Sequence, residues 1–298
     1  MSATATTASR WAFPALLLGN LALSFGPLLV RLADVAPVAS AFWRMALGFP
    51  AVLLLALLTG IRRAPAASAW RWGALAGLFF AADLALWHLG IVRTSLANAS
   101  LVSNAASFLL PLWGIVVLHQ RPTRLAQGAI ALAFVGTALL MGGSAEVSAR
   151  HLVGDLLCFA AAILYTAYIL VVDRLRGTLP PFPILALATG FGALALLPVA
   201  PFLSGGSFWP GDWTPLLLLA LGSQVIGQGL IVFSVGHLPP LVVGLAFLTQ
   251  PAISAAIGYA RFGEVPGPWQ AAGAALVAVA LVLVRLPERR RMPPAARA

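Results

Sequence analysis

The sequence predicts an all-α integral membrane protein of ten transmembrane helices, built as two inverted five-helix repeats. Three observations carry that expectation. The chain of 298 residues is 61% hydrophobic and only 9% charged, with mean hydropathy +0.97, whereas soluble domains carry about 25% charged residues. Its apolar runs are about 20 residues long, the length a helix needs to cross the hydrocarbon core. They divide five from five at the polar stretch Gly143–Val153, and an odd number of spans per repeat turns the second copy upside down. Strands of an outer-membrane barrel alternate polar and apolar over about ten residues, so helices remain as the way to satisfy a backbone in lipid.

The first span, Ala12–Leu32, follows the short Ser/Thr/Ala-rich segment Met1–Arg10. It is longer than a signal-peptide core and lacks a cleavage pattern, so it is expected to be retained. The second is Pro37–Leu58, and the third, Trp72–Ile91, holds Asp83 and His88. Ser95–Leu118 and Gln127–Gly142 complete the first repeat, residues 1–142. The second repeat, residues 143–298 with a basic cytoplasmic tail, runs through Gly154–Leu175, Pro183–Leu203, Pro215–Leu238, Leu241–Tyr259 and Pro268–Leu286. The links are too short for a soluble domain. Cys158 is the only cysteine, which rules out an internal disulfide and reads as a buried packing thiol. Pro27, Pro50, Pro111, Pro198 and Pro251 interrupt helical ladders, either to let a helix end swing or simply to pack.

The duplication is partly visible in the residues. Ala46–Leu55 reads ALGFPAVLLL and Ala188–Leu197 reads ATGFGALALL, with six of ten positions identical. At an offset of 145, spans three to five fall on spans eight to ten, pairing Asp83 with Gln228 and Gly128 with Gly273.

The net charge of +10 is carried by arginine alone. These charges punctuate the gaps between apolar runs instead of forming one basic face, which argues against nucleic acid as a partner. With the N-terminus inside, thirteen arginines fall on inside segments. Outside are four, Arg31, Arg93, Arg150 and Arg261, while Arg44 lies within a span. The positive-inside rule then places both termini in the cytoplasm of an inner (plasma) membrane protein, with Arg289, Arg290 and Arg291 as a topology anchor.

The run Pro37-Val38-Ala39-Ser40-Ala41-Phe42-Trp43-Arg44, together with ten spans and the five-plus-five repeat, resembles the drug/metabolite transporter superfamily, EamA type. Glu264, followed by Gln270 and Gly273, resembles the glutamate that this family often carries between its last two spans. The resemblance covers nearly the whole chain. Departures are Ala186 where the first repeat has Arg44, and His119 where the second has Glu264, so the pocket need not be symmetric. Membership implies transport of a small metabolite, often outward, and leaves the substrate open.

Polar groups at membrane depth single out the candidate site: Arg44 in the second span, Asp83, Trp87 and His88 in the third, Asn98 and Asn104 in the fourth, and Gln224 and Gln228 in the eighth. A carboxylate near mid-span costs about 2.5–3.5 kcal/mol on insertion scales and marks a functional position by default. Asp83 and Trp87 share a helix face, as do Gln224 and Gln228. Each residue also has a plainer reading. Asn and Gln serve as interhelical glue, Trp87 fits an interfacial belt, and His88 fits either a gate or a hydrogen-bonded packing residue. Arg44 either snorkels outward or turns inward to pair with Asp83 or a substrate carboxylate. Tryptophans 11, 70, 72, 209, 213 and 269 read as belt residues.

The expected function is secondary active transport by alternating access, most simply export of a small polar or amphipathic, amino-acid-like metabolite. Protons are the candidate coupling ion. No nucleotide-binding loop, HExxH, metal cluster or GxSxG occurs, so neither cofactor nor metal is expected. The competing classes are a membrane-embedded enzyme using Asp83 and His88 as an acid–base pair, and a non-transporting sensor.

Overall fold

The structure, a computed structural model, describes residues 3–59, 66–94, 99, 102–119, 121–142, 151–203, 206–251, 253 and 267–285. Among these residues the regular structure is entirely helical.

The first span is α1 (Ala3–Ser24) and α2 (Gly26–Leu32), broken at Phe25. Pro27 sits in the first turn of α2, where a missing N–H costs nothing because that donor has no helical acceptor. Next come α3 (Pro37–Thr59), α4 (Ala67–Ile91), α5 (Ala106–Val116) and α6 (Arg124–Gly142). The second half holds α7 (Leu152–Arg176) and α8 (Pro181–Leu196). Its eighth span is composite: α9 (Thr214–Leu218), a π-helix (Leu219–Gly227) and α10 (Gln228–Val235). α11 (Pro240–Phe247) and α12 (Pro268–Arg285) follow.

Five of these segments are long and apolar enough to cross a membrane: Arg10–Leu32, Pro37–Thr59, Ala67–Ile91, Leu152–Arg176 and Thr214–Val235. Five shorter apolar helices of 10–17 residues fall on the other expected spans. Two expectations need correction in detail. The fourth span does not run as one helix, because Ala105 and Ser107 bond back three residues to Val102 and Asn104, forming tight turns ahead of α5. The eighth is not a uniform α-helix, because its middle is wound as the π-helix.

The halves interdigitate. α4 packs on α7 and α8, α3 on α8, α5 on α11, α6 on α12, and α1 on the π-helix and α10. Each of these pairs joins an element before residue 143 to one after residue 150. Lipid tails are as apolar as leucine, so such contacts draw on close packing of small residues more than on the hydrophobic effect. At Gly77 an added Cβ would lie 2.8 Å from Ala188 O and 2.9 Å from Gly192 N. At Gly136 it would lie 2.9 Å from Gly273 O. Cys158 is buried, and its sulfur occupies the notch at Gly90. Large apolar side chains such as Leu54, Leu57, Leu58, Phe134 and Val282 face outward, as a lipid-contacting surface requires.

One end of the bundle is closed by rings. Trp43 of α3 lies 5.0–5.2 Å, centroid to centroid, from Phe208, Trp209 and Trp213, and its indole N–H donates to Phe208 O at 2.7 Å. Asp34 Oδ2 accepts the Gly211 N–H at 2.8 Å. Trp209 and Trp213 therefore pack the link before α9 onto α3, and the Asp34–Gly211 bond ties it to the link before α3.

Candidate functional site

The interdigitated halves enclose a cavity with about 800 Å³ of empty space, the part open to its mouth included. Its wall comes from both halves. α1 and α2 contribute Leu23, Ser24 and Pro27 around their break, and α3 contributes Arg44. α4 supplies Phe80, Asp83, Leu84 and Trp87, while the turn before α5 and its first residues supply Ser103, Asn104, Ala106 and Ser107. From the second half come Ala161, Ala162 and Tyr165 of α7, Gln228 of α10, and Phe247, Gln250 and Pro251 where α11 ends. Three interrupted segments thus meet at one place. Irregular backbone at membrane depth is tolerated where it lines a cavity.

Two ionisable groups face this space. Arg44 is 2% exposed and Asp83 7%, so both turn into the protein. Arg44 Nε donates to Gln224 Oε1 at 3.1 Å, and its guanidinium carbon lies 5.8 Å from the Phe80 ring centroid, within cation–π range. The Nε bond is the guanidinium's only hydrogen bond among the described residues, which leaves the terminal nitrogens for the cavity. No hydrogen bond or ion pair to the Asp83 carboxylate forms among the described residues. Arg44 and Asp83 share the cavity wall without closing into contact.

Around the charges the wall is aromatic. Phe80 stacks on Tyr168 at 4.5 Å and 12° between planes, and Tyr165 lies 5.6 Å from Phe247. Gln228 Nε2 donates to the Tyr165 hydroxyl at 3.4 Å, while its Oε1 is buried without a partner among the described residues, which costs about 1–3 kcal/mol.

The sequence candidates separate into three groups. Arg44, Asp83, Trp87, Asn104 and Gln228 are brought together on the cavity wall. Trp87 is no lipid-facing belt residue, because its ring packs over Gly26 and edge-on to His88 at 5.4 Å. Gln224 lies behind the wall, fully buried, and bonds Arg44 and Thr189. Gln224 and Gln228, expected to share a face, nevertheless take different partners, Gln224 bonding Arg44 and Thr189 and Gln228 bonding Tyr165. His88 is also fully buried and faces α3. Its Nδ1 lies 2.6 Å from Ser40 Oγ and 3.1 Å from Pro37 O, while Ser40 donates to the same carbonyl at 2.8 Å. All three contacts are satisfied together when Nδ1 carries the proton. Asn98 and Glu264 lie outside the described residues.

Three polar residues escape the sequence reading. Asn20, fully buried in α1, donates to Ala246 O at 2.7 Å and accepts from Gln250 Nε2 at 3.2 Å, tying α1 to the broken end of α11. Its position as a lone amide in an apolar run was the available signal. Thr189 gives no such signal, since a threonine in a helix usually bonds its own backbone. Tyr165 is one of only three tyrosines, and its pairing with Gln228 depends on tertiary packing alone.

Comparison with known proteins agrees with this architecture. The model of the EamA-like transporter family matches residues 10–142 and again residues 152–286. A lysophospholipid transporter, LplT, of Klebsiella pneumoniae is 30% identical over 199 residues, 63% of this chain and 49% of that protein. The chain thus spans about half the length of that relative. An uncharacterized transporter of Archaeoglobus fulgidus is 24% identical over 252 residues, covering 82% of this chain and 86% of its own, and the uncharacterized Bacillus subtilis transporter YxxF is 23% identical over 216 residues, 70% of this chain and 68% of its own. A solved crystal structure superposes with TM-score 0.72 at 19% identity, over 96% of this chain and 97% of that one, a likeness of fold.

Proposed function

The chain belongs to the EamA-like transporter family, and from that premise we propose a ten-span secondary transporter, two inverted repeats working by alternating access. Its cargo in this reading is a small amphipathic zwitterion of amino-acid type, moved outward across an inner membrane with both termini in the cytoplasm. The observation that carries the cargo assignment is the cavity's guanidinium and carboxyl group, unjoined to each other, inside an aromatic and aliphatic wall. Arg44 receives the carboxylate through its terminal nitrogens, for which a planar fork is suited. Asp83 receives the ammonium. The apolar side chain lies against Phe80, Trp87, Tyr165 and Phe247.

Alternating access is supported by the wall's origin in both halves and by the family model's two matches, since two related halves rocking about a central site is the behaviour of inverted-repeat carriers. The cargo named for the Klebsiella relative is amphipathic too, which suits this wall. Proton coupling is assigned to Asp83, the cavity carboxylate. The acid–base enzyme reading loses support because His88 faces α3 and does not line the cavity with Asp83.

The test is counterflow in proteoliposomes of the purified full-length protein. Vesicles loaded with unlabelled L-phenylalanine or L-leucine should accumulate the labelled compound chemically unchanged. Conversion of the compound in detergent would replace transport with enzymology. Failure of every zwitterion tried, alongside uptake of a purely anionic or cationic compound, would overturn the substrate class.

A further inference from the structure

Arg44 and Asp83, a guanidinium and a carboxyl group, face one cavity, yet among the described residues no hydrogen bond or ion pair joins them. In a medium of low dielectric a guanidinium and a carboxylate free to meet are strongly drawn together, so the arginine must be held away. Its restraint is visible. Nε donates to Gln224 Oε1 at 3.1 Å, and Gln224 Nε2 donates to Thr189 Oγ1 at 2.9 Å. Gln224 and Thr189 are both fully buried. The guanidinium N–H, which can only donate, fixes which end of Gln224 faces Arg44, since the reversed amide would set donors against a donor; the threonine hydroxyl accepts from the other end and holds the glutamine in place.

The backbone enforces the same placement. Gly48 lies one turn beyond Arg44 on α3, and a Cβ there would come 2.9 Å from Gln224 Cγ and 3.2 Å from its Cβ. The glycine therefore leaves the slot that the glutamine stem fills. Gln224, within the π-helix, reaches α3 and α8, while Gln228 reaches α7. π-Turns inside helices are frequent at functional sites.

We propose that Gln224 and Thr189 are positioning residues that hold the Arg44 guanidinium off Asp83, so that both charges stay available to a substrate bearing both. This rests on the zwitterion reading of the cavity. Without Gln224 the guanidinium swings onto Asp83 and the site neutralises itself. Gln224 thus acts through Arg44 and makes no contact with substrate. Since Arg44 lies in the first half and Gln224 and Thr189 in the second, the arginine is set only when the two halves are packed together.

Two measurements on the purified full-length protein test this. One is binding of tritiated L-phenylalanine. The other needs no substrate: the rate at which phenylglyoxal modifies Arg44, followed by mass spectrometry. Gln224→Met should weaken phenylalanine binding about tenfold or more, a loss near one charge-assisted hydrogen bond, and should slow Arg44 modification several-fold. Adding Asp83→Asn to Gln224→Met should restore the modification rate, because no carboxylate remains to capture the guanidinium. Thr189→Ser should behave as wild type, and Thr189→Val should shift both readouts in the direction of Gln224→Met. Unchanged binding and modification in Gln224→Met and Thr189→Val would overturn the proposal, as would slowed modification that Asp83→Asn does not restore. If Gln224→Met fails to fold, the near-isosteric Thr189→Val, alone and combined with Asp83→Asn, decides. Absence of phenylalanine binding to the wild type would exclude phenylalanine as the cargo, while the modification rates still decide the positioning role.

Discussion

Replacing Arg44 by lysine keeps the positive charge and removes the planar fork, so it separates recognition from simple electrostatics. In the structure the guanidinium does two things at once. Its Nε satisfies the buried Gln224 Oε1 at 3.1 Å, and its terminal nitrogens are left for the cavity. A lysine presents one nitrogen on a flexible stem and cannot reproduce both directions. Either the Gln224 acceptor is orphaned or a carboxylate in the cavity loses contact. One charge-assisted hydrogen bond is worth about 1.5–3 kcal/mol, and each ~1.4 kcal/mol is tenfold in affinity. Arg44→Lys should therefore bind L-phenylalanine roughly 10- to 100-fold more weakly. Phenethylamine, which has the same ring and ammonium without the carboxylate, supplies the internal control. Its affinity should change much less, because it has nothing for the fork to hold. Competition binding against tritiated phenylalanine measures both, with the thermal unfolding of each variant as a check on folding. Equal losses for the two ligands would refute carboxylate recognition. Wild-type transport by Arg44→Ala would remove Arg44 from the site altogether.

Asp83→Asn is nearly isosteric and breaks no hydrogen bond among the described residues, so it should fold, exchange substrate between vesicle faces, and stop responding to an imposed pH gradient. Gradient-driven accumulation at the wild-type level would make Asp83 a bystander to coupling. Two glycine substitutions should have opposite effects on unfolding in mixed micelles. Gly77→Ala forces a Cβ against the backbone of α8 at 2.8–2.9 Å and should cost about 1–3 kcal/mol, whereas Gly128→Ala meets nothing within 4 Å and should gain about 0.5–1 kcal/mol from helix propensity. Single cysteines at Ala67 and Ser148 should label from opposite membrane faces, Ser148 from outside; labelling of both from one face would end the inverted-repeat reading.

Sequence alone determined the solvent and hence the fold class. A chain with 9% charged residues and apolar runs separated by arginine has no folded state in water, and lipid admits only internally satisfied backbone. The mid-span depth of Asp83 and Arg44 was equally legible, because a charge in an apolar run is costly wherever its helix is placed. What depth could not say is where a side chain points. Arg44 inward, Trp87 onto Gly26, and His88 onto Ser40 and Pro37 are decided by neighbouring helices, about which local periodicity carries no information. Gln224 and Gln228 show the limit most sharply. Their spacing of four puts them on one helical face, yet one bonds Arg44 and Thr189 and the other Tyr165, a choice made by the helices around them. Asn20 and Thr189 matter only through partners more than a hundred residues away, or, for Thr189, through a glutamine on another helix. The sequence thus set which groups lie at depth, since that depends on composition along one helix. Only the packing of the two halves decided which of them share the cavity, since a helix rotates freely about its axis until another helix fixes its face.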